Sequence, residues 1–526
     1  MRPRFPLLLV WAAVAACVSL HAAETNKAWR QRAADRPRRI IFNNDGNDPI
    51  TAIKRPSVED MLAVRTAALA GTQVDAIFYC TFSAGFGNFS HLTKVGQVYT
   101  AKGERFANNQ MEAFAAAGID PLTVMTDFAH KNRMELFWSF RMNDTHDGSA
   151  TNGQGPVLFA ANKLKTAHPE YLLGGYHEKM KHGSWAGVNY ARPEIRELAF
   201  RYVEEVCRNY DVDGVELDFF RHPVFFKTTA RGEPATAEEI AGMTTLLRRI
   251  RTMADEVGRA RGRPILIATH VPDSAEYSLR IGLDLARWLA DDLLDVLIPA
   301  GYFQLNDWEH SVALAHRHGV KVYPSLDETR IRDESAVALR MTDAGYRARA
   351  ANVWASGADG VYVFNFFKPE STRWRELGDP RGLARLDKDY FASFRGVGAA
   401  AGGNFPFAEF QTIETLNPTR ARTIAPGATA GARLRVSEDF GAAGAATSYV
   451  LRLHFGVSVD RLPVSVTVNG RALRAPRFAA DWLEYPVTAA ELRTGFNEVV
   501  VSLDGAAKKP LKWLDLMLRV RHGSVP

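Results

Sequence analysis

Eight short apolar runs, separated by longer amphipathic stretches, constrain this 526-residue chain more than any other feature. They are 39–43 (RIIFN), 75–81 (DAIFYCT), 134–140 (MELFWSF), 213–218 (DGVELD), 264–270 (PILIATH), 293–299 (LLDVLIP), 320–325 (VKVYPS) and 359–364 (DGVYVF). Strands covered on both faces read as unbroken apolar runs, and parallel strands need long crossover connections. Stretches such as 193–209 (PEIRELAFRYVEEVCRN), with Pro193 suited to a first helical turn, and 236–256 supply those crossovers. Eight alternations predict an α/β fold, a (β/α)8 TIM barrel over residues 38–392. A doubly wound sheet is the competing arrangement, but no GxGxxG or GxxxxGK[ST] stands where a phosphate loop would sit.

The pattern changes near residue 393. The segment RGVGAAAGGNFP has little to bury, and a linker is expected over 393–403. Beyond it, 431–436, 448–455, 463–468, 497–503 and 513–520 alternate apolar and polar residues at period two, with turns such as Asn469-Gly470. That predicts a small antiparallel β-sandwich over 404–526.

At the other end, Arg2 and Arg4 precede an apolar stretch from Leu7 to Leu20 that closes on Ala22 and Ala23. This reads as an export signal over 1–23, too short to span a bilayer. Val14, Ala15, Ala16 and Cys17 also resemble a lipobox, so cleavage near Ala23 and a lipid anchor at Cys17 are the two processing outcomes. The expected address is periplasmic or extracellular, with no transmembrane segment. The other two cysteines, Cys80 and Cys207, form no CxxC pair and read as buried thiols; no metal site and no cofactor is expected. The formal charge of +6 comes from basic residues scattered along the chain, which argues against nucleic acid as a partner.

In such barrels the chemistry sits at the C-terminal ends of the strands. The first strand runs into Asn43, Asn44, Asp45, Gly46, Asn47 and Asp48, the third into Arg141, Asn143, Asp144 and His146, and the fifth into His270. The sixth meets Tyr302, the seventh Asp327 and Glu328, and the eighth Asn365. Acids, amides and aromatic rings on one rim suit a polyhydroxylated ligand. The 43–48 cluster does not fit a calcium loop, because Ala52 stands where the bidentate Glu is needed; ligand hydrogen bonding or turn capping is expected there. The most informative segment is DGVELDFFRHP at 213–223. Side chains alternate along a strand, so Glu216 and Asp218 face the same side, with Arg221 and His222 in the loop behind. Two carboxylates so close hold their pKa values apart. The competing reading is a structural Asp218–Arg221 ion pair. Trp138, Tyr302 and Phe220 are either stacking platforms for sugar or core.

The runs HPEYL at 168–172 and ARPEIRELAFRYVEEVCRNYDVDGVELDFFRHP at 191–223 resemble the glycosyl hydrolase-like 10 family. The matching positions are His168, Pro169, Asn209, Tyr210, Asp213, Gly214, Asp218, Arg221 and Pro223, joined by IPAGYF at 298–303. His222, where Tyr is common, and the opening NNDGND depart from the pattern. GVELDFFRH also resembles the fourth-strand motif of α-amylase-type hydrolases, in which the Asp is the nucleophile, although Glu216 replaces their Arg. Chitinase-type DGxDxDxE would need its acid at Phe220, which disfavours substrate-assisted chemistry. The C-terminal WLEYPVTAAELRTGFNEVVVSL resembles the last strands of galactose-binding-like jelly rolls, whose role here is either glycan binding or packing on the barrel.

These resemblances imply an exported glycoside hydrolase acting on a polysaccharide or oligosaccharide. Asp218 is the expected nucleophile or base, and Glu328 or Asp327 the acid, beside Glu216. Asp45, Arg141, Asn143, Asp144, His146, Arg221, His222, His270, Tyr302 and Asn365 are the expected substrate contacts. A non-catalytic glycan-binding protein on a degenerate barrel is the rival.

Overall fold

The computed structural model describes residues 26–148, 155–396, 408–441, 447–457 and 462–523. The expected signal over 1–23, with Cys17, and most of the expected linker lie outside them. Eight parallel strands form the first half: β1 (Ile40–Asn44), β2 (Val74–Tyr79), β3 (Glu135–Arg141), β4 (Gly214–Asp218), β5 (Leu266–Val271), β6 (Val296–Pro299), β7 (Lys321–Val322 and Ser325–Leu326) and β8 (Val361–Val363). Each coincides with one of the apolar runs, and nearly every strand residue is buried. β7 comes in two pieces because Pro324, at its middle, has no N–H to give to a ladder. The first piece pairs with β6 and the second with β8, so the sheet closes on itself through this one strand. Backbone pairing continues across the break, Tyr323 N donating to Leu297 O (2.9 Å) and Tyr362 N to Pro324 O (3.1 Å).

The crossover helices follow their local signals. Pro193–Asn209 begins with its proline in the first turn and lays Ile195, Ala199, Val203 and Val206 on the sheet. Ala237–Arg261 is opened by a reciprocal Thr236–Glu239 capping box and stopped by Gly262 in the left-handed conformation. Cys80 and Cys207 are buried thiols.

The N-terminal ends of the strands are locked by ion pairs. Arg30, from the helix Asn26–Ala34, is 3% exposed and reaches Asp255, Asp292 and Asp295 together; Arg38 pairs with Glu135 at 2.6 Å. These charges hold the floor of the barrel and leave the opposite end for chemistry.

The C-terminal half is antiparallel, with the strands expected from the period-two pattern. One sheet runs in the order Lys388–Phe391, Asp515–His522, Thr447–His454, Trp482–Val487, Arg477–Ala479; the other runs Thr429–Val436, Gly495–Leu503, Val464–Val468, Arg471–Ala472. Leu434, Val499 and Val501 of one meet Leu451, Leu453 and Leu518 of the other in a common core. The turn at Asn469-Gly470 has both residues at positive φ (51° and 79°), the conformation a tight hairpin demands.

The boundary near 393 needs correction on two counts. Lys388–Phe391, expected in the barrel half, is an edge strand of the C-terminal sheet and pairs with the final strand from Lys388↔Val520 to Phe391↔Met517. Residues 393–396 do not run free: Ser393 and Arg395 are buried, and Gly396 N donates to Thr329 O (2.8 Å) above β7. Arg340, fully buried in the helix Glu334–Arg340, donates to Ser393 O and to Asp515 Oδ1 (both 2.8 Å). A charged clasp thus joins the two halves.

Candidate functional site

The C-terminal ends of β1, β3 and β4 converge on a cavity of 230 Å³ lined by Asp45, Asn47, Phe82, Ala84, Arg105, Arg141, His146 and Arg221. It exists because two loops approach closely. Gly46 has φ +64°, and a Cβ there would collide with the Thr81 backbone, so glycine alone lets the loop after β1 nest against that after β2. The second loop takes an unusual path: Thr81, Phe82 and Ser83 all lie at positive φ, a strain worth about 1–3 kcal/mol per residue. Trp138 holds this bend by donating from Nε1 to Thr81 Oγ1 (2.7 Å).

Within the cavity the polar groups form one network. Arg141 is ion-paired to Asp45 and reaches Asp144 Oδ2 at 3.3 Å. Asp144 is fully buried and accepts from Gly85 N (2.9 Å), His146 N (3.0 Å) and His146 Nδ1 (2.7 Å). Burial alone would raise its pKa, but His146 and Arg141 outweigh it and hold the carboxyl well below the usual range. Because Nδ1 of His146 donates to that carboxylate, its Nε2 is the acceptor for Arg221 at 3.0 Å. His222 packs edge-on against His146 (5.3 Å) and accepts from Thr145 N at Nδ1 (3.3 Å), and burial depresses its pKa.

Asp144, His146 and His222 each offer a ligand atom within 4.8 Å of the others, close enough for a metal ion. The bonding does not fit one. Asp144 is saturated by four donors, both His146 nitrogens are engaged, and two guanidinium groups stand beside the cluster.

Below this network lie the two acids of β4. Asp218 Oδ1 accepts from the backbone N–H of Phe220 and of Arg221 (3.0 Å each) and lies 3.5 Å from His270 Nδ1; among the described residues no donor reaches Oδ2. The Asp218–Arg221 ion pair that a structural reading requires is absent among the described residues. The arginine gives Asp218 its backbone amide, while its guanidinium turns to His146 and the Tyr302 ring (5.2 Å). Burial lowers the pKa of His270, its Nε2 is bonded to Ala300 O (2.5 Å), and its ring stacks on Phe220 (5.1 Å). Glu216 lies one pleat deeper and is fully buried, receiving the Tyr362 hydroxyl from across the barrel (2.8 Å). Burial and the neighbouring Asp218 push its carboxyl up to about 8.

Glu216 therefore carries a stability signature. Its folded pKa is above the unfolded value, so its contribution is complete below about pH 4.5 and is lost as pH rises through about 8. Denaturant titrations at pH 5 and pH 8.5 should show wild type losing about 1–3 kcal/mol relative to Glu216→Gln across that interval. Parallel curves would mean that Glu216 titrates normally.

The remaining expected residues divide. Tyr302 and Asn365 meet through a hydrogen bond (3.1 Å), and Tyr302 is flanked by Arg330 at 3.9 Å from the ring. Asn143 ties loops together instead, donating to Val188 O and Val224 O. Glu328 turns outward to Arg330 (2.7 Å) with its side chain 46% exposed. Asp327 is fully buried, its Oδ1 on Glu328 N (2.5 Å) and its Oδ2 3.9 Å from Arg395; burial raises it to about 6. Asn44 and Asp48 close their own turn and meet Arg65, which is the capping role. Trp138 and Phe220 are core. Arg105, Arg330, Arg395 and Tyr362 were not expected.

Residues 65–234 match the family model described as Glycosyl hydrolase-like 10. The resemblance read from the sequence is borne out over that stretch, which contains β2 to β4 and both acids of β4. A 167-residue alignment with an S-layer-related protein of Niallia circulans has 26% identity and covers 30% of this chain. The chain spans about a tenth of that relative's length, the alignment covering 10% of it. Among solved structures, the glycoside hydrolase domain of PgaB (BpsB) from Bordetella bronchiseptica is similar over 65% of this chain and 98% of its own, with 11% identity and a TM-score of 0.40. A glycoside hydrolase family 18 N-acetylglucosaminidase from Paenibacillus barengoltzii matches 66% of this chain and 99% of its own, with 14% identity and a TM-score of 0.36. A cycloisomaltooligosaccharide glucanotransferase from Paenibacillus sp. matches 92% of this chain and 57% of its own, with 11% identity and a TM-score of 0.36. Among the described residues no helix is long and apolar enough to cross a membrane.

Proposed function

We propose that the protein is an exported glycoside hydrolase that takes a glycan into the barrel mouth and cleaves a glycosidic bond beside Asp218. The observation that carries this is the placement of Asp218: it ends β4 with one carboxylate oxygen fixed by two backbone amides and the other, among the described residues, without a donor, beneath a polar cavity. A carboxylate so held is oriented before substrate arrives, as a nucleophile or base must be. Glycoside hydrolysis also needs a proton donor to the leaving oxygen. Asp327 is the better of the two expected acids, because burial keeps it protonated to about pH 6 while Glu328 is spent on Arg330. The export reading rests on the 1–23 signal and is in keeping with the S-layer-related relative.

Release of reducing ends from a polysaccharide panel tests the activity. With Asp327 as the acid, the rate should fall as pH rises through about 6, and Asp327→Asn should remove that limb along with most of the turnover. One observation favours the second reading, a glycan-binding barrel without turnover. Both Asp327 oxygens already face protein partners, Glu328 N and Arg395. Retention of a glycan in affinity electrophoresis with no reducing ends released would establish that alternative.

A further inference from the structure

We infer that the cavity at the barrel mouth recognises a negatively charged substituent, a carboxylate or a sulfate, on the glycan; this rests on the glycan reading above. Among the described residues, three guanidinium groups, Arg105, Arg141 and Arg221, line it against one lining carboxylate, Asp45. Arg141 is satisfied, its charge divided between Asp45 and Asp144. Arg221 is not. Its guanidinium touches His146 Nε2 (3.0 Å) and the Tyr302 ring (5.2 Å), and among the described residues no carboxylate lies within ion-pair distance. Its Nε is buried and, among the described residues, has no hydrogen-bond partner.

Burial disfavours the charge of this partly buried guanidinium, Asp45 and Asp144 offset that only from beyond ion-pair distance, and buried charges are normally paired directly. The missing anion is what a ligand can bring. The planar guanidinium suits this because it presents donors in a fork that matches a carboxylate or sulfate at two points. His146 acts as a positioning residue: its Nδ1–H is fixed on Asp144, so its Nε2 lone pair anchors one edge of the fork. Arg105, on the loop between β2 and β3, is exposed and adds a third positive charge at the cavity wall. At 230 Å³ the cavity is smaller than the roughly 300–1,000 Å³ of a pocket for a whole drug-sized ligand. That suits one charged sugar residue, with neighbouring units of the chain outside.

The test uses the full-length protein and matched glycan pairs: polygalacturonate and alginate with their carboxyl-reduced forms, dextran sulfate and chondroitin sulfate with dextran and desulfated chondroitin, and xylan and starch as neutral controls. Affinity electrophoresis and reducing-end release are read on each. The expected result is that the best-retained polymer is anionic and loses about 10–100-fold in affinity when neutralised, the worth of one or two charge-assisted hydrogen bonds. The pair that responds separates carboxylate from sulfate. Arg221→Gln should cost a similar factor, and its loss should not add to that of neutralising the glycan, because both remove the same contact. Arg105→Ala, at an exposed position, keeps the test valid should the Arg221 variant fold poorly; it should weaken retention of the anionic polymer by about 2–5-fold, the worth of one exposed charge, and leave its neutralised form unchanged. Preference for a neutral glycan, equal retention of both members of every pair, or retention of none overturns the inference. Cleavage of a neutral glycan would overturn it while leaving the hydrolase reading intact. Retention of an anionic glycan without cleavage would do the reverse.

Discussion

Asp218→Asn should lower kcat by about 10³-fold or more while leaving the melting temperature within a few degrees of wild type. The substitution keeps the shape and keeps an oxygen able to accept the two amides, Phe220 N and Arg221 N, that Oδ1 now receives. The turn after β4 therefore survives. The negative charge is lost, and what goes with it is the 3.5 Å contact to His270, whose pKa burial lowers; the Arg221 guanidinium points elsewhere. Calorimetry and turnover on the same preparations decide the matter. Near wild-type kcat would take Asp218 out of the mechanism, and a collapse of stability would give it a structural role instead.

The largest effect on stability is expected at the clasp between the two halves. Arg340 and Asp515 are both essentially buried (0% and 1% exposed), 2.8 Å apart, with the guanidinium also over the Phe391 ring at 4.2 Å. Asp515→Ala leaves a positive charge in a dry interface, which costs about 3–5 kcal/mol. Pairing it with Arg340→Met should recover much of that loss, since two well-packed apolar side chains replace a broken pair better than half a pair does. The denaturation midpoint of the single and double variants measures this. A single variant within about 1 kcal/mol of wild type would mean that water reaches the arginine.

The barrel was legible because its strands are covered on both faces, which gives unbroken apolar runs that loops cannot imitate. The helix at 193–209 was legible to the residue, since proline marks its first turn. Lys388–Phe391 was not, because a four-residue strand beside a glycine-rich segment has too few positions to show a period. Strand ends brought out a cluster, since Asp45, Arg141, Asp144, His146 and Arg221 gather in one network at the candidate site. What spacing conceals is the partner. Asn143 has the chemistry of a ligand contact yet binds loop backbone, Asp327 meets Arg395 from far along the chain, and Glu328 is turned outward by Arg330 two residues away. Tyr362 and Arg395 come from the eighth strand and from beyond the barrel, so only closure of the sheet brings them to Glu216 and Asp327.

The pairing of Lys388–Phe391 with Asp515–His522 bears on how this protein can be taken apart or recombined. A chain cut at the glycine-rich stretch would leave the final strand with a bare edge, displaying the unpaired amides and carbonyls of 517–520 to any other strand nearby. The donor of the covering strand would stay behind on the barrel fragment, exposed in its turn. The C-terminal half is thus no cassette to be grafted onto another enzyme at its apparent seam; an exchange that respects the hydrogen bonds must cut before Lys388 and carry Ser393 and Arg395 along, prying the latter from its seat above β7.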